Sequence, residues 1–309
     1  MKIFSLTPKE NWILDRITKE WSELDPELFT DDPTQADVLW VISPWLWRRI
    51  PASLLNDKKV VVTIHHIVPE KFNVNSIRDF IIRDQFVDLY HVPCIKTKEF
   101  ISQHTNKPIK VIGYWYNGST WAPYNKLDAR KDLELPEDSF IIGSFQRDTE
   151  GSDLISPKLE KGPDLFADVV KKISNHIENV YVLLGGWRRQ YVISRLEKDN
   201  IKYKFIKMAP LEELRKMYAA CDLYIVSSRC EGGPQAILEA SAMKVPIISR
   251  DVGMASAVLP ASCIMDIPNY YRIPDVEDVD NCYNGVQKFE INKCSKQYKQ
   301  MFLDLMEQK

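Results

Sequence analysis

The chain has 309 residues, 45% of them hydrophobic and 27% charged, an ordinary globular composition at a length that suits two domains. Lys and Arg number 41 against 43 Asp and Glu, a net charge of −2, with no run of like charge able to track a nucleic-acid backbone. Disordered, collagenous and membrane-spanning classes are excluded by the same composition, since no apolar stretch approaches the roughly 20 residues needed to cross a bilayer.

In chain order, short apolar runs alternate with segments of helical period. The runs KIFSL (2–6), DVLWVI (37–42), VVVTI (60–64), DLYHV (88–92) and KVIGYW (110–115) read as strands, with helices expected over 10–22, 76–86 and 95–104. The polar stretch YNGSTWAPYNKLDARKDLELPEDS then reads as a linker. A second alternating series follows. FIIGSF (140–145), VYVLLGG (180–186), YKFI (203–206), LYIVSS (223–228) and VPIIS (245–249) read as strands, interleaved with helices over 163–176, 188–198, 211–220 and 234–243. Alternation of this kind predicts βαβ units and parallel sheets, here in two doubly wound halves. At the end Ile291, Cys294, Tyr298, Met301, Phe302 and Leu305 fall at helical spacing, which predicts a docked closing helix. The expected domains are 1–125, 126–285 and a helix over 286–309 that packs back on the first.

The six cysteines show no CxxC pair and read as reduced thiols. The opening residues carry too few apolar positions for a signal peptide, so a cytoplasmic address is expected. Neither GxGxxG nor a P-loop is found, which disfavours dinucleotide and P-loop chemistry. Ligands of open α/β sheets sit beyond the carboxyl ends of the strands, so those ends are where a site is sought. After LYIVSS the chain turns through Glu231, Gly232 and Gly233, and Pro234 stands where a helix would begin. Small residues there let an anion approach the helix amides. Glu239 follows more than a turn inside that helix, so two carboxylates address different parts of one extended ligand.

EGGPQAILE, with its continuation ASAMKVPIISRDVG, resembles the E-x7-E signature of the retaining glycosyltransferases of family 4, which have the GT-B architecture of two facing Rossmann-like domains. FIIGSFQRDTEGSDLISPKLEKGPDLFADVV resembles that family's strand, basic residue and Lys-Gly entering a helix, and PLEELRKMYAACDLYIVSS its approach to the signature. The resemblance covers 140–258 well and the first half in outline.

It implies a metal-independent, retaining transfer of a hexose from a UDP- or GDP-sugar to a glycan or lipid-linked glycan, with no cofactor. Arg147 and Lys161 would bind the donor diphosphate, Lys158 being a weaker substitute; Gly232, Gly233 and Pro234 would shape the helix terminus that receives it. Glu231 would act at the reacting sugar and Glu239 would bind the ribose hydroxyls. In VVVTIHHIVPE, His65 matches the family's strand-end histidine by register and would be catalytic, hydrogen-bonding the donor sugar or assisting at the reacting centre, and His66 stands beside it on the acceptor side. Seven of the eight tryptophans lie in the first 121 residues; most read as core, while Trp45 and Trp47 in SPWLWRR are candidates for contact with an acceptor. Peripheral contact with the inner face of a membrane fits a lipid-linked acceptor. Lys244 stands where the family commonly has glycine. Asp278-Val279-Asp280 has the letters of a metal-binding Asp-x-Asp but reads better as a helix start. The alternative functions are a non-catalytic nucleotide- or carbohydrate-binding GT-B protein and a nucleotide-sugar epimerase of related fold.

Overall fold

The structure is a computed structural model that describes residues 1–10, 13–151, 153–269 and 271–307. The first strands and helices are β1 (Ile3–Leu6), α1 (Ile13–Leu24), β2 (Val38–Val41), α2 (Ala52–Asp57), β3 (Lys59–Thr63), α3 (Val74–Asp84), β4 (Leu89–Val92), α4 (Ile95–Ile101) and β5 (Ile109–Val111). Then come α5 (Lys126–Asp132), β6 (Phe140–Phe145), α6 (Pro163–Ser174), β7 (Val180–Gly186), α7 (Gln190–Lys198), β8 (Lys202–Lys207), α8 (Leu211–Ala220), β9 (Leu223–Val226), α9 (Gln235–Ala242) and β10 (Ile247–Ser249). Three helices close the chain, α10 (Ala255–Val258), α11 (Val276–Val286) and α12 (Ile291–Glu307). They form two compact units, 1–115 with 289–309, and 116–288.

Each unit is a Rossmann-like α/β half around a five-stranded parallel sheet. Central strands such as VLWV and LYIV are buried at every position, as expected where helices cover both faces of a parallel sheet. The strand order differs between the units. In the second it is β10-β9-β6-β7-β8, so the winding reverses between β6 and β9. In the first it is β1-β2-β3-β4-β5, every crossover stepping the same way. The expectation of two doubly wound halves is therefore corrected: the first sheet is wound in one direction. Strand identity is visible in apolar patterning, whereas strand order depends on where each crossover returns.

The core of the second unit packs Phe166, Val169, Val170 and Ile173 of α6 against Ile142, Val182, Leu184, Leu223 and Ile225 of the sheet. In the first unit Trp21 lies 5.7 Å from Trp40, 6.0 Å from Trp115 and 5.9 Å from Phe302, ring centre to ring centre, and Tyr298 lies 5.1 Å from Trp115. The two α12 rings thus complete this aromatic core, each large buried ring contributing about 1.5–3 kcal/mol through apolar burial. Two indole N–H groups of the cluster are satisfied by side chains, Trp40 donating to Thr63 Oγ1 at 2.9 Å and Trp115 to Glu20 at 3.0 Å. Trp12 lies outside the described residues.

Two local differences from the sequence reading have physical causes. The apolar run 110–115 ends as a strand at Val111, and Ile112, Tyr114 and Trp115 continue as buried irregular chain. Within the expected linker, Asn125 accepts the amide of Asp128 and caps α5, a helix that buries Arg130. Arg130 is satisfied there by the carbonyls of Ala220 and Glu137 and the carboxylate of Asp222. The units change between Trp115 and Tyr116, whereas composition placed the change at 125.

Candidate functional site

In the second unit the site residues gather at the carboxyl ends of β6 and β9, the two strands that flank the reversal of winding. The turn after β9 presents Glu231, whose Oε1 accepts from the Lys161 ammonium and from the Ser228 hydroxyl at 3.1 Å. Lys161 arrives from the loop before α6, and the backbone fixes it there. Its carbonyl accepts from Gln146 Nε2 at 3.0 Å and from the Ser227 hydroxyl at 3.3 Å. The following Gly162 has φ of 60°, and a Cβ built on it would sit 2.1 Å from the Ser227 carbonyl oxygen. Glycine is required at 162 by both the left-handed backbone and the close approach.

Arg147 sits one residue beyond Gln146. Its Nε donates to the Thr149 carbonyl at 2.8 Å, and its guanidinium carbon lies 5.6 Å from the centre of the Trp187 ring. Among the described residues no carboxylate pairs with it. Lys158 is turned to Glu160, 3.3 Å away. The structure thus joins Lys161 and Glu231 directly and ties Arg147 to them through its neighbour Gln146.

Pro234 is the N-cap of α9, one position before the first turn, and Gln235 opens the helix. Gly253 packs against the glycine turn: its φ is 53°, and a Cβ there would lie 2.3 Å from the Gly232 carbonyl oxygen. Glu239, 3% exposed, accepts the Tyr218 hydroxyl at 2.9 Å. Burial, reinforced by the Glu239 charge, raises the Tyr218 hydroxyl well above its ordinary pKa, so it remains a donor. Lys244, at the position where glycine was expected, adopts φ of 56°, and the next amide, Val245, donates back to Ala240 at 2.9 Å in a left-handed helix end. Asp278 closes a capping box with Asp275 at the start of α11 and pairs with Arg272.

In the first unit His65 and His66 follow β3. His65 is held on both ring nitrogens, Nε2 against Ser43 Oγ at 2.9 Å and Nδ1 against the Tyr114 hydroxyl. Burial first, and then the neighbouring His66 and His91 rings, which disfavour a second protonated imidazole beside them, lower its pKa to about 3, so the ring is neutral. His66 and Trp45 line a cavity of about 490 Å³ with Ile67, Lys71 and Phe72. Trp45 is 56% exposed, whereas Trp47 is 7% exposed, its indole donating to Asp79 at 3.3 Å and its ring 5.7 Å from Phe86. Trp47 is therefore packing, and Trp45 is the presented ring. Sequence reasoning missed Tyr114, Gln146 and Tyr218, which act through contacts distant in sequence, and Ser228, whose partner Glu231 is only three residues on and which the SS pair before the turn could have signalled.

Two Rossmann-like halves with these strand-end sites define the GT-B fold class. Residues 154–261 match the family model described as "Glycosyl transferases group 1". The O-antigen biosynthesis glycosyltransferase WclY of Escherichia coli is 22% identical over 153 residues, 49% of this chain and 40% of that protein. Glycogen synthase 2 of Geobacter metallireducens is 26% identical over 132 residues, 42% of this chain and 27% of that protein. The matches thus span less than half the length of these curated relatives. Among solved structures, HepE of Anabaena in complex with UDP and glucose is similar with a TM-score of 0.79 at 14% identity, covering 98% of this chain and 100% of that one. Sucrose-phosphate synthase of Thermosynechococcus elongatus gives 0.66 at 16% identity, covering 97% and 80%. No helix of the described residues is long and apolar enough to cross a membrane.

Proposed function

We propose that the chain is a retaining glycosyltransferase that moves a hexose from a UDP- or GDP-sugar to a glycan or lipid-linked glycan without a metal ion. The observation that carries this reading is the convergence of Lys161 and Glu231 at the β6/β9 switch point, inside the stretch that matches the group 1 family. UDP bound to HepE, a protein of the same fold, supports a uridine donor. Retention follows from the E-x7-E resemblance.

Departure of the nucleoside diphosphate places negative charge on a phosphate oxygen. Lys161 has three ammonium donors, of which Glu231 takes one, and the others can meet phosphate. Arg147 adds a guanidinium fork, and the start of α9 contributes backbone amides and the positive end of its dipole. In the transfer the bond from sugar C1 to the phosphate oxygen breaks with its electron pair going to phosphate. The acceptor oxygen bonds to C1 on the same face and its proton passes to the leaving diphosphate. Glu231 stabilises positive charge developing at the sugar, and Glu239 binds the ribose hydroxyls. On the acceptor side Trp45 stacks a sugar face and His66 bonds its hydroxyls; His65, neutral and seated between Ser43 and Tyr114 at the end of β3, hydrogen-bonds the donor sugar or assists at the reacting centre. A lipid-linked acceptor would bring the protein to the cytoplasmic face of a membrane.

The test is thermal stabilisation by UDP, GDP and ADP in EDTA, followed by transfer assays with the matching sugars. A rise in melting temperature with one uridine or guanosine diphosphate supports the site. Stabilisation only after magnesium or manganese is restored overturns the metal-free reading.

A further inference from the structure

One ion pair of the second unit lies wholly inside it. Arg189 and Asp148 are both fully buried, with Arg189 Nε 2.9 Å from Asp148 Oδ1. Arg189 directly precedes α7, and its fork reaches two strand ends at once. One terminal nitrogen donates to the Gly185 carbonyl at 2.8 Å and to the Ser144 carbonyl; the other donates to the Ser144 hydroxyl at 3.1 Å. Asp148 Oδ1 meets Arg189 Nε as a charge contact alone, and the rest of the residue is held by hydrogen bonds. Its Oδ2 accepts from the Val192 amide at 3.3 Å, its own amide donates to the Arg188 carbonyl at 3.1 Å, and its carbonyl accepts the Lys158 amide at 2.6 Å.

Arg147 is the residue immediately before this anchor. The ring beside its guanidinium, Trp187, belongs to the same turn after β7 that supplies Arg188 and Arg189. Thr149 adjoins Asp148 and Trp187 stands two residues before Arg189, so both ends of the Arg147 setting lie close in the chain to the buried pair. A buried ion pair adds little stability over an apolar pair of equal volume. What an arginine fork adds is direction, because its planar donors fix the two carbonyls and the hydroxyl they meet, while the Asp148 carboxylate holds the guanidinium by charge.

We propose that Asp148 and Arg189 are positioning residues for Arg147, locking the loop after β6 against the turn after β7 so that the guanidinium over Trp187 points its terminal nitrogens at the donor's diphosphate. Neither residue touches the ligand. The inference rests on the reading of Arg147 as a diphosphate ligand, and the experiment separates the two.

UDP and GDP are titrated calorimetrically in EDTA into the unmodified chain, Arg147→Ala, Asp148→Asn, Arg189→Lys and the double variant Arg147→Ala/Asp148→Asn. Asp148→Asn keeps the shape and the acceptor for Val192 while removing the charge. Whichever nucleotide binds, Arg147→Ala weakens it about tenfold, the scale of one charge-assisted hydrogen bond. Asp148→Asn and Arg189→Lys weaken it severalfold, and the double variant binds no more weakly than Arg147→Ala alone, since the pair acts only through Arg147. Additive losses in the double variant overturn the inference. So does a lowered melting temperature with unchanged affinity in Asp148→Asn, or failure of both Asp148→Asn and Arg189→Lys to fold, because the pair would then serve the fold alone. Binding that Arg147→Ala leaves unchanged, or no binding of either nucleotide, removes the diphosphate reading and the inference with it.

Discussion

Lys161 and Glu231, 70 residues apart in the chain, are joined by a hydrogen bond from the ammonium to carboxylate oxygen Oε1, which also accepts from Ser228. The lysine thus stands against the one carboxylate of the glycine turn, held by groups on two elements. Removal of either charge has separable effects. Lys161→Ala is expected to weaken the nucleoside diphosphate about tenfold and to lower turnover about 10²–10³-fold, the loss typical of one donor to developing charge. Glu231→Gln, which preserves shape, is expected to lower kcat by a similar factor with little change in nucleotide affinity. Steady-state rates beside a UDP titration check both, and full activity in either variant removes that residue from the site.

The Gly162 turn is expected to tolerate no side chain. Gly162→Ala combines a left-handed backbone with a clash on the Ser227 carbonyl, so it should destabilise the second unit by about 2–4 kcal/mol and weaken nucleotide binding as Lys161 shifts. Urea unfolding and the same titration read the two effects. An unchanged midpoint would mean the loop moves freely away from β9.

Acid should destabilise the first unit through His91. That ring accepts no proton readily: it is fully buried, donates from Nε2 to the Ile112 carbonyl at 2.9 Å, and meets Thr63 Oγ1 with Nδ1 at 3.0 Å. Burial lowers its pKa from 6.5 to about 4. Between those values the unfolded chain binds the extra proton, so stability is complete above about pH 6.5 and falls as pH drops toward 4, by up to about 3 kcal/mol. Urea midpoints measured from pH 7.5 to 4.5 should show this fall, and His91→Gln should remove about half of the slope, because His65, lowered to about 3 by burial, contributes a fall of the same sign. An equal slope in the variant would assign the pH dependence to other groups.

Lys244→Gly is expected to stabilise. The residue bears a left-handed backbone, which costs a non-glycine residue about 1 kcal/mol, and its ion pair with Asp280 at 2.9 Å is half-exposed and of small value. A net gain of about 0.5–1 kcal/mol in denaturant unfolding is the expected result, and a loss would show that the Asp280 and Tyr283 contacts outweigh the strain.

Much of the arrangement is legible in the sequence because it rests on local patterning. The strands announce themselves as β-branched runs, and EGGPQAILE is contiguous, so Glu231, Gly232, Gly233 and Glu239 are found together. What escapes is non-local or disguised. α5 hides because its buried face includes Arg130, which reads as solvent-facing until the carbonyls that receive it are known. Tyr114 reaches His65 across 49 residues, and Arg189 meets Ser144 across 45, distances at which spacing carries no information. Trp45 and Trp47 are two apart in a 3-10 turn, where neither a strand nor a helix period tells which ring faces outward. The one-way order of the first sheet is likewise invisible, because any order of the same strands has the same apolar runs.

The aromatic core of the first unit is closed by α12, which follows the second unit in the chain, so the order of synthesis runs against the order of assembly. Trp21, Trp40 and Trp115 leave the ribosome long before Tyr298 and Phe302 exist to cover them, while residues 116–288 emerge complete. The second unit can therefore finish folding during translation, and the first waits with an open indole cluster until α12 has been made, the interval in which a chaperone would find its binding surface.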